Sequence, residues 1–168
     1  MALRHTDIIF RRSDTMQLVS EMERISAAHQ NVIVSAAKSW VNVRPYFGPQ
    51  YDADMKWEPP LRRLFSARGP FVPHATWVPA HTRKRGVEPA AIGLSHPKGP
   101  SAIRQLAEGG VVIPSDWLVR QDHSRRGIVI EVGADSTCEQ ALLFLLDASE
   151  ELSGVNLPGD WVADLVEV

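Results

Sequence analysis

Apolar residues recur along this chain with two different periods, and the switches between them mark its elements. Leu18, Met22 and Ile25 repeat at helical spacing with Val19 beside them, and Ser13 or Asp14 stands where a helix cap belongs. The pattern predicts a helix from about Asp14 to Gln30. Val32, Ile33 and Val34 are β-branched and suit a strand. Ile25, Ala28, Val32, Ala36 and Trp40 also continue one helical stripe, so a strand or a second helix is expected up to Val43.

From Pro45 to Pro100 the periodicity is lost. Ten of the twelve prolines lie in this stretch, interleaved with Tyr46, Phe47, Tyr51, Trp57, Phe65, Phe71 and Trp77. Proline removes a backbone donor and fixes φ, so only short elements are expected. The large apolar side chains argue against a disordered linker. One short helix is expected after Pro59-Pro60, and strand pieces at Phe71-Val72 and Thr76-Trp77-Val78.

The last half reads more cleanly. Ala90 to Leu94 is a short apolar strand. A helix follows from about Pro100 to Glu108, with Ile103, Leu106 and Ala107 inward and Gly109-Gly110 as its stop. Trp117-Leu118-Val119 and Gly127 to Val132 are strands joined by a polar tip at Gln121 to Arg126. Asp135-Ser136 caps a helix whose apolar face is Ala141, Leu142, Leu145, Leu146, Ala148 and Leu152, and Gly154 ends it. Trp161 to Val168 is the final strand.

The order βαββαβ is that of a ferredoxin-like split unit. The expected fold is therefore α+β and a single domain. Residues 90–168 form a ferredoxin-like half, a four-stranded antiparallel sheet with two helices on one face. Residues 1–44 add a helix plus a strand or helix, and residues 45–89 add an ordered layer of proline- and aromatic-rich loops.

Composition narrows the class without naming a function. The chain has 168 residues, 44% hydrophobic and 23% charged, which is ordinary for a globular protein able to bury a core without staples. A net charge of -2 supplies no global field toward nucleic acid or anionic membrane. Cys138 is the single cysteine, so an internal disulfide is excluded. It falls at the start of the last helix, where a helix N-terminus can lower a thiol pKa; the plainer reading is a small buried hydrophobe. Residues Met1 to Asp7 lack the apolar core of a signal peptide, and no run approaches the roughly 18 apolar residues of a membrane span. A cytoplasmic location is expected, with no membrane partner.

Two polar segments carry the candidate chemistry. Ser95-His96-Pro97-Lys98-Gly99-Pro100-Ser101 joins a strand to a helix. With Pro100 at the first helical position, Gly99 becomes the cap, and free amides beside Lys98 and Ser101 would receive a phosphate or carboxylate. The plain alternative is an ordinary turn with a glycine cap. The second segment is the tip Arg120-Gln121-Asp122-His123-Ser124-Arg125-Arg126. Arg120, Arg125 and Arg126 are candidate anion ligands, Asp122 could orient His123, and His96 or His123 is the candidate acid or base. Against this, neighbours in a strand point to opposite faces, and a solvated turn explains the same residues.

Other features are weaker. His5, His29, His74, His81, His96 and His123 show no metal-ligand spacing, although His74, His81 and His96 have no fixed separation in space. No metal and no cofactor is expected. Arg83-Lys84-Arg85 is a short basic run that reads as a solvated turn before a nucleic-acid contact. Trp117 and Trp161 read as core edges. Asp52, Asp54 and Glu58 form a loose acidic set.

No nucleophile elbow or dinucleotide loop is present. The expected function is a non-catalytic protein-interaction or ligand-binding accessory protein, with a protein partner or a second copy. The alternatives are a small enzyme or sensor for an anionic metabolite, and a nucleic-acid-binding module.

Overall fold

The computed structural model describes residues 3–30, 32–34, 37–50 and 70–167. Among these residues the chain runs β1 (Arg4–Arg11), α1 (Met16–His29), β2 (Ser39–Pro45), β3 (His74–Val78), β4 (His81–Arg83), β5 (Gly86–Glu88), β6 (Ala91–Ser95), α2 (Ala102–Glu108), β7 (Leu118–His123), β8 (Gly127–Glu131), α3 (Cys138–Leu152) and β9 (Asp160–Glu167). Seven strands form one antiparallel sheet in the order β1-β9-β2-β3-β6-β8-β7, and β4 with β5 forms a separate hairpin.

The class is α+β, but the sheet is larger than a ferredoxin-like half. The expected order holds through β6-β8-β7, where β8 lies between the two strands joined by α2. It fails at the last strand, because β2 and β3 stand between β9 and β6. The N-terminal strands are therefore part of the sheet and not a layer laid over it. β1, α1 and β2 make a second split unit, with β9 between its two strands. β3 joins the two units, pairing with β2 on one side and β6 on the other.

Most strand patterns follow from one face being buried, whereas β9 also buries Val162 and Val166 on the face away from the helices. In β2 the residues alternate strictly, with Val41 and Val43 buried and Trp40, Asn42 and Arg44 half-exposed. Ala75 and Trp77, Ile92 and Leu94, and Ile128 and Ile130 continue that buried face. α3 lies between α1 and α2 on the same side, over β3 and β6. One continuous core results, from Ile8 and Phe10 to Ile128 and Ile130.

Local chemistry differs from expectation at the helix ends. α1 is capped by Thr15 without a side-chain bond, not by Ser13 or Asp14. α3 is capped by Thr137, which forms a reciprocal capping box with Gln140, so Asp135-Ser136 stands one to two residues early. The Gly109-Gly110 stop is as expected: Gly110 has φ +84°, and the amides of Gly110 and Val111 bond the carbonyls of Ala107 and Leu106.

The prolines act as punctuation. Pro73 precedes β3, Pro79 follows it, and Pro89 precedes β6, which keeps those strands short. Phe71-Val72 is a bend, not a strand. The helix expected after Pro59-Pro60 lies outside the described residues. β1 was not anticipated, because its apolar core is only Ile8, Ile9 and Phe10 between charged flanks. No helix among the described residues is long and apolar enough to cross a membrane.

Gly127 illustrates how tightly β8 meets β6. It has φ +77°, and a Cβ there would lie 2.2 Å from the Leu94 carbonyl oxygen. Gly127→Ala combines a left-handed backbone with a backbone clash, an expected loss of about 3 kcal/mol. Thermal unfolding should show a fall of about 6–12 °C at this chain length; an unchanged midpoint would contradict the packing of this hairpin.

Candidate functional site

The two polar segments singled out by sequence do meet, and they meet through an internal bond. β7 continues to His123, so the turn is only Ser124 to Arg126, shorter than the expected tip. Strand alternation then sends Asp122 to the helix side of the sheet and His123 to the other, so the two do not form an acid–base pair. The Asp122 carboxylate accepts from the amides of Ala102 and Ile103, both at 3.2 Å. These are the first two amides of α2.

This bond corrects the reading of the 95–101 loop. The helix starts at Ala102 and its N-cap is Ser101, so neither Pro100 nor Gly99 holds the expected position. Ser101 has φ +65° and makes no side-chain cap bond. Asp122 supplies the missing acceptor from another strand. An incoming anion would have to displace that carboxylate. Lys98 is exposed, and its carbonyl accepts from the Gln105 side chain at 3.3 Å.

The remaining candidates of the tip serve the hairpin. Arg120 lies at a bulge and pairs with Glu131 at 2.7 Å. His123 Nδ1 accepts from the amides of Arg125 and Arg126 at 3.1 and 3.3 Å, bracing the turn. His96 is fully buried, and both of its ring nitrogens lack a hydrogen-bond partner. Burial holds its pKa below the ordinary histidine value, and the field of Asp122 pulls it partly back.

The other histidines are dispersed. His29 Nδ1–H donates to the Ile25 carbonyl at 2.8 Å, and its Nε2 accepts from the Lys38 amide at 3.2 Å. His81 lies in β4 and bonds the Pro79 carbonyl at 3.2 Å. His74 sits at the start of β3 on the open face, opposite Ser95, whereas His96 turns inward. Among the described residues no group of three His, Cys, Asp or Glu side chains is placed to hold a metal ion. Asp52, Asp54 and Glu58 lie outside those residues. The basic run forms the β4–β5 turn, with Arg83 paired to Glu88 at 3.6 Å.

On the open face of the sheet a polar ladder crosses four strands. Thr76 donates to Asn42 at 2.9 Å, Asn42 to Asp164 at 3.4 Å, and His5 meets Asp164 at 3.0 Å. Each member satisfies its neighbour, so the ladder reads as cross-strand pairing.

Sequence reading missed a concavity beside α3. A groove of about 820 Å³ runs between the C-terminal stop of α2, the 111–116 segment and the outer face of α3. Asp116, Asp135, Asp147, Glu150 and Glu151 line it, with no Lys, Arg or His in the lining. Leu143, Phe144 and Pro114 give it an apolar floor, and Val112 on its rim is exposed. Trp117 fixes one corner: it packs edge-on against Phe144 at 5.1 Å, and its indole N–H donates to Ser136 at 2.7 Å. Asp116 lies against Gly133, where a Cβ would fall 1.8 Å from the carboxylate. On the far side Arg12 reaches from the end of β1 and pairs with Asp147, and with Glu150 at 3.1 Å. Asp116, Asp135 and Glu151 are exposed and have no such counter-ion among the described residues.

The carboxylates of this groove are spread over 36 positions, from Asp116 to Glu151. Only the α3 part was readable, since Gln140, Leu143, Asp147 and Glu151 recur at helical spacing away from the core stripe. No known protein family matches this chain, and no curated protein or solved structure matches it either. Function is therefore argued from the site alone.

Cys138 settles on the inert side. Its Sγ lies 3.7 Å from Ser26 Oγ, and burial pushes the thiol pKa above its ordinary value, against the lowering a helix start would give. A thiol-reactive dye at pH 7.5 should label it at least tenfold more slowly than the unfolded chain; equal rates would contradict this environment. Asp122→Ala leaves the Ala102 and Ile103 amides without their acceptor, an expected loss of about 1–2 kcal/mol in denaturant unfolding. Asp122→Asn should recover part of that loss; an Asp122→Ala protein as stable as wild type would remove the capping role.

Proposed function

We propose that this protein is a non-catalytic interaction module that binds a basic segment of another protein in the acidic groove beside α3. The groove's composition carries this reading: five carboxylates around an apolar floor, with no base in the lining. Lys and Arg side chains match that combination, because their aliphatic stems cover apolar surface while their heads meet carboxylates. The end of α2 strengthens the preference, since the C-terminal end of a helix carries partial negative charge. Trp117 and Phe144 hold the floor rigid, which lowers the cost of ordering on binding.

The enzyme and sensor alternatives draw less support from their acid–base candidates. Asp122 is bonded to α2, His123 braces a turn, and His96 is buried away from solvent. A nucleic-acid surface would need gathered basic groups, whereas the groove beside α3 is acidic.

A labelled hexa-arginine peptide tests the charge and the place together. Binding should weaken steeply between 50 and 300 mM salt. Asp135→Lys with Glu151→Lys should reduce affinity at least tenfold without changing the thermal midpoint, because both side chains are exposed. A hexa-glutamate peptide that binds better, or hexa-arginine binding that ignores the double reversal, would overturn the proposal.

A further inference from the structure

The two edges of the sheet are built differently. β7 is interrupted by a bulge between Val119 and Gln121, an irregularity that guards an edge against further pairing. β1, at the other edge, holds one unbroken register with β9 from Arg4 to Arg11. Successive residues of an antiparallel strand aim their backbone groups to alternate sides, so the outward-facing set can be assigned. The Asp160 carbonyl accepts from the Tyr46 amide at 2.8 Å, on the β2 side, so Arg11 opposite Asp160 faces away from β9. Arg11 is already closed off there, because its carbonyl accepts from the Asp14 amide at 2.9 Å across a tight turn. Ile9, Asp7 and His5 face the same way, and among the described residues no strand lies on that side of them.

The side chains of these residues share the open face of the sheet. Ile9 is 58% exposed, and Leu3, two positions before His5, is 54% exposed. Asp7 is exposed and stands directly opposite Asp164, a like charge. Asp164 is satisfied by His5 at 3.0 Å, whereas Asp7 has no ion-pair partner among the described residues. His5 makes that contact through Nδ1, so its Nε2 remains for a second acceptor. The free edge thus carries an apolar group, a base, an acid and an apolar group at Leu3, His5, Asp7 and Ile9. Laid against its own reverse, that order is self-complementary.

We propose that β1 pairs antiparallel with β1 of a second copy about a two-fold axis at Thr6, joining the two sheets into one. In this register His5 lies opposite Asp7 of the second copy and Leu3 opposite its Ile9, and each contact occurs twice. The outward backbone groups of His5 and Asp7 bond across the junction, as in strand addition. Asp7 gains the basic neighbour that it lacks, and the exposed Leu3 and Ile9 cover each other. The neighbouring registers are worse. An axis at Asp7 sets two carboxylates face to face, and an axis at His5 sets two imidazoles face to face. An axis at Ile8 or Ile9 needs the Arg11 backbone that Asp14 already holds. None of these residues lines the acidic groove, so the pairing stands apart from the function proposed above.

Sedimentation equilibrium and amide exchange of the whole chain test the pairing. One strand pair is a small interface, so the dimer should grow in between about 10 and about 500 μM protein. Over that range the His5, Asp7 and Ile9 amides should gain protection, while Thr6 and Ile8, which already face β9, should not change. Asp7→Lys and His5→Glu each set like charges opposite one another and should weaken the dimer at least about tenfold. An equimolar mixture of the two variants restores opposite charges at both contacts and should recover a dimer. Should His5→Glu fail to fold, Asp7→Lys and the wild-type amide pattern decide alone. A monomer throughout, a dimer that leaves the His5, Asp7 and Ile9 amides unprotected, or an Asp7→Lys dimer as tight as wild type would overturn the proposal, as would a mixture of folded variants that stays monomeric.

Discussion

The structure depends on the burial of one helix face. α3 sets Leu142, Leu145, Leu146, Ala148 and Leu152 into the centre of the sheet, each almost completely removed from solvent. Truncating any of these leucines to alanine costs about 2–5 kcal/mol where the site cannot collapse, a large part of the stability of a domain this size. α1 and α2 pack on either side of α3, so neither has an independent place. The same helix carries β8 across three intervening strands to β9, and β9 is what binds β1 to β2. Removing α3 would remove the connection as well as the core.

That burial also positions the chemistry. Because α3 must present its apolar stripe inward, Gln140, Leu143, Asp147 and Glu151 face outward along the groove, with buried Phe144 at its floor. α2 is short and enters through Ser101 in a left-handed conformation, so it relies on Asp122 for its first amides and on Gly109-Gly110 for its end. A seven-residue helix fastened at both ends by other elements is well placed to respond to a change at either end.

Much of the fold was legible because its signals are local. α1, α3, β6, β8 and β9 declare themselves by helical or alternating apolar spacing, and the Gly109-Gly110 stop by the freedom of glycine. Strand order was not legible. Which strand lies beside β6 is decided by long-range pairing, and the βαββαβ succession is equally compatible with β9 beside β6 or three strands away. β1 escaped notice because an edge strand with charged flanks has a weak apolar pattern. The candidate site divided in the same way. Lys98, Gly99, Ser101, Asp122 and His123 were picked out as chemically dense segments, but not the bond that spends the Asp122 carboxylate on α2. The acidic groove needs residues from three separate stretches, and no local pattern gathers them.

The most direct test of this account is native-state hydrogen exchange resolved by residue. The interleaved sheet makes the chain one cooperative unit. The slowest amides of β2, β3, β6, β9 and α3 should therefore open together with the free energy of global unfolding. If residues 90–156 instead retained protection while β1, α1 and β2 exchanged from a separate, less stable unit, the sheet order described here would be contradicted. The support of the groove by a single shared core would fall with it.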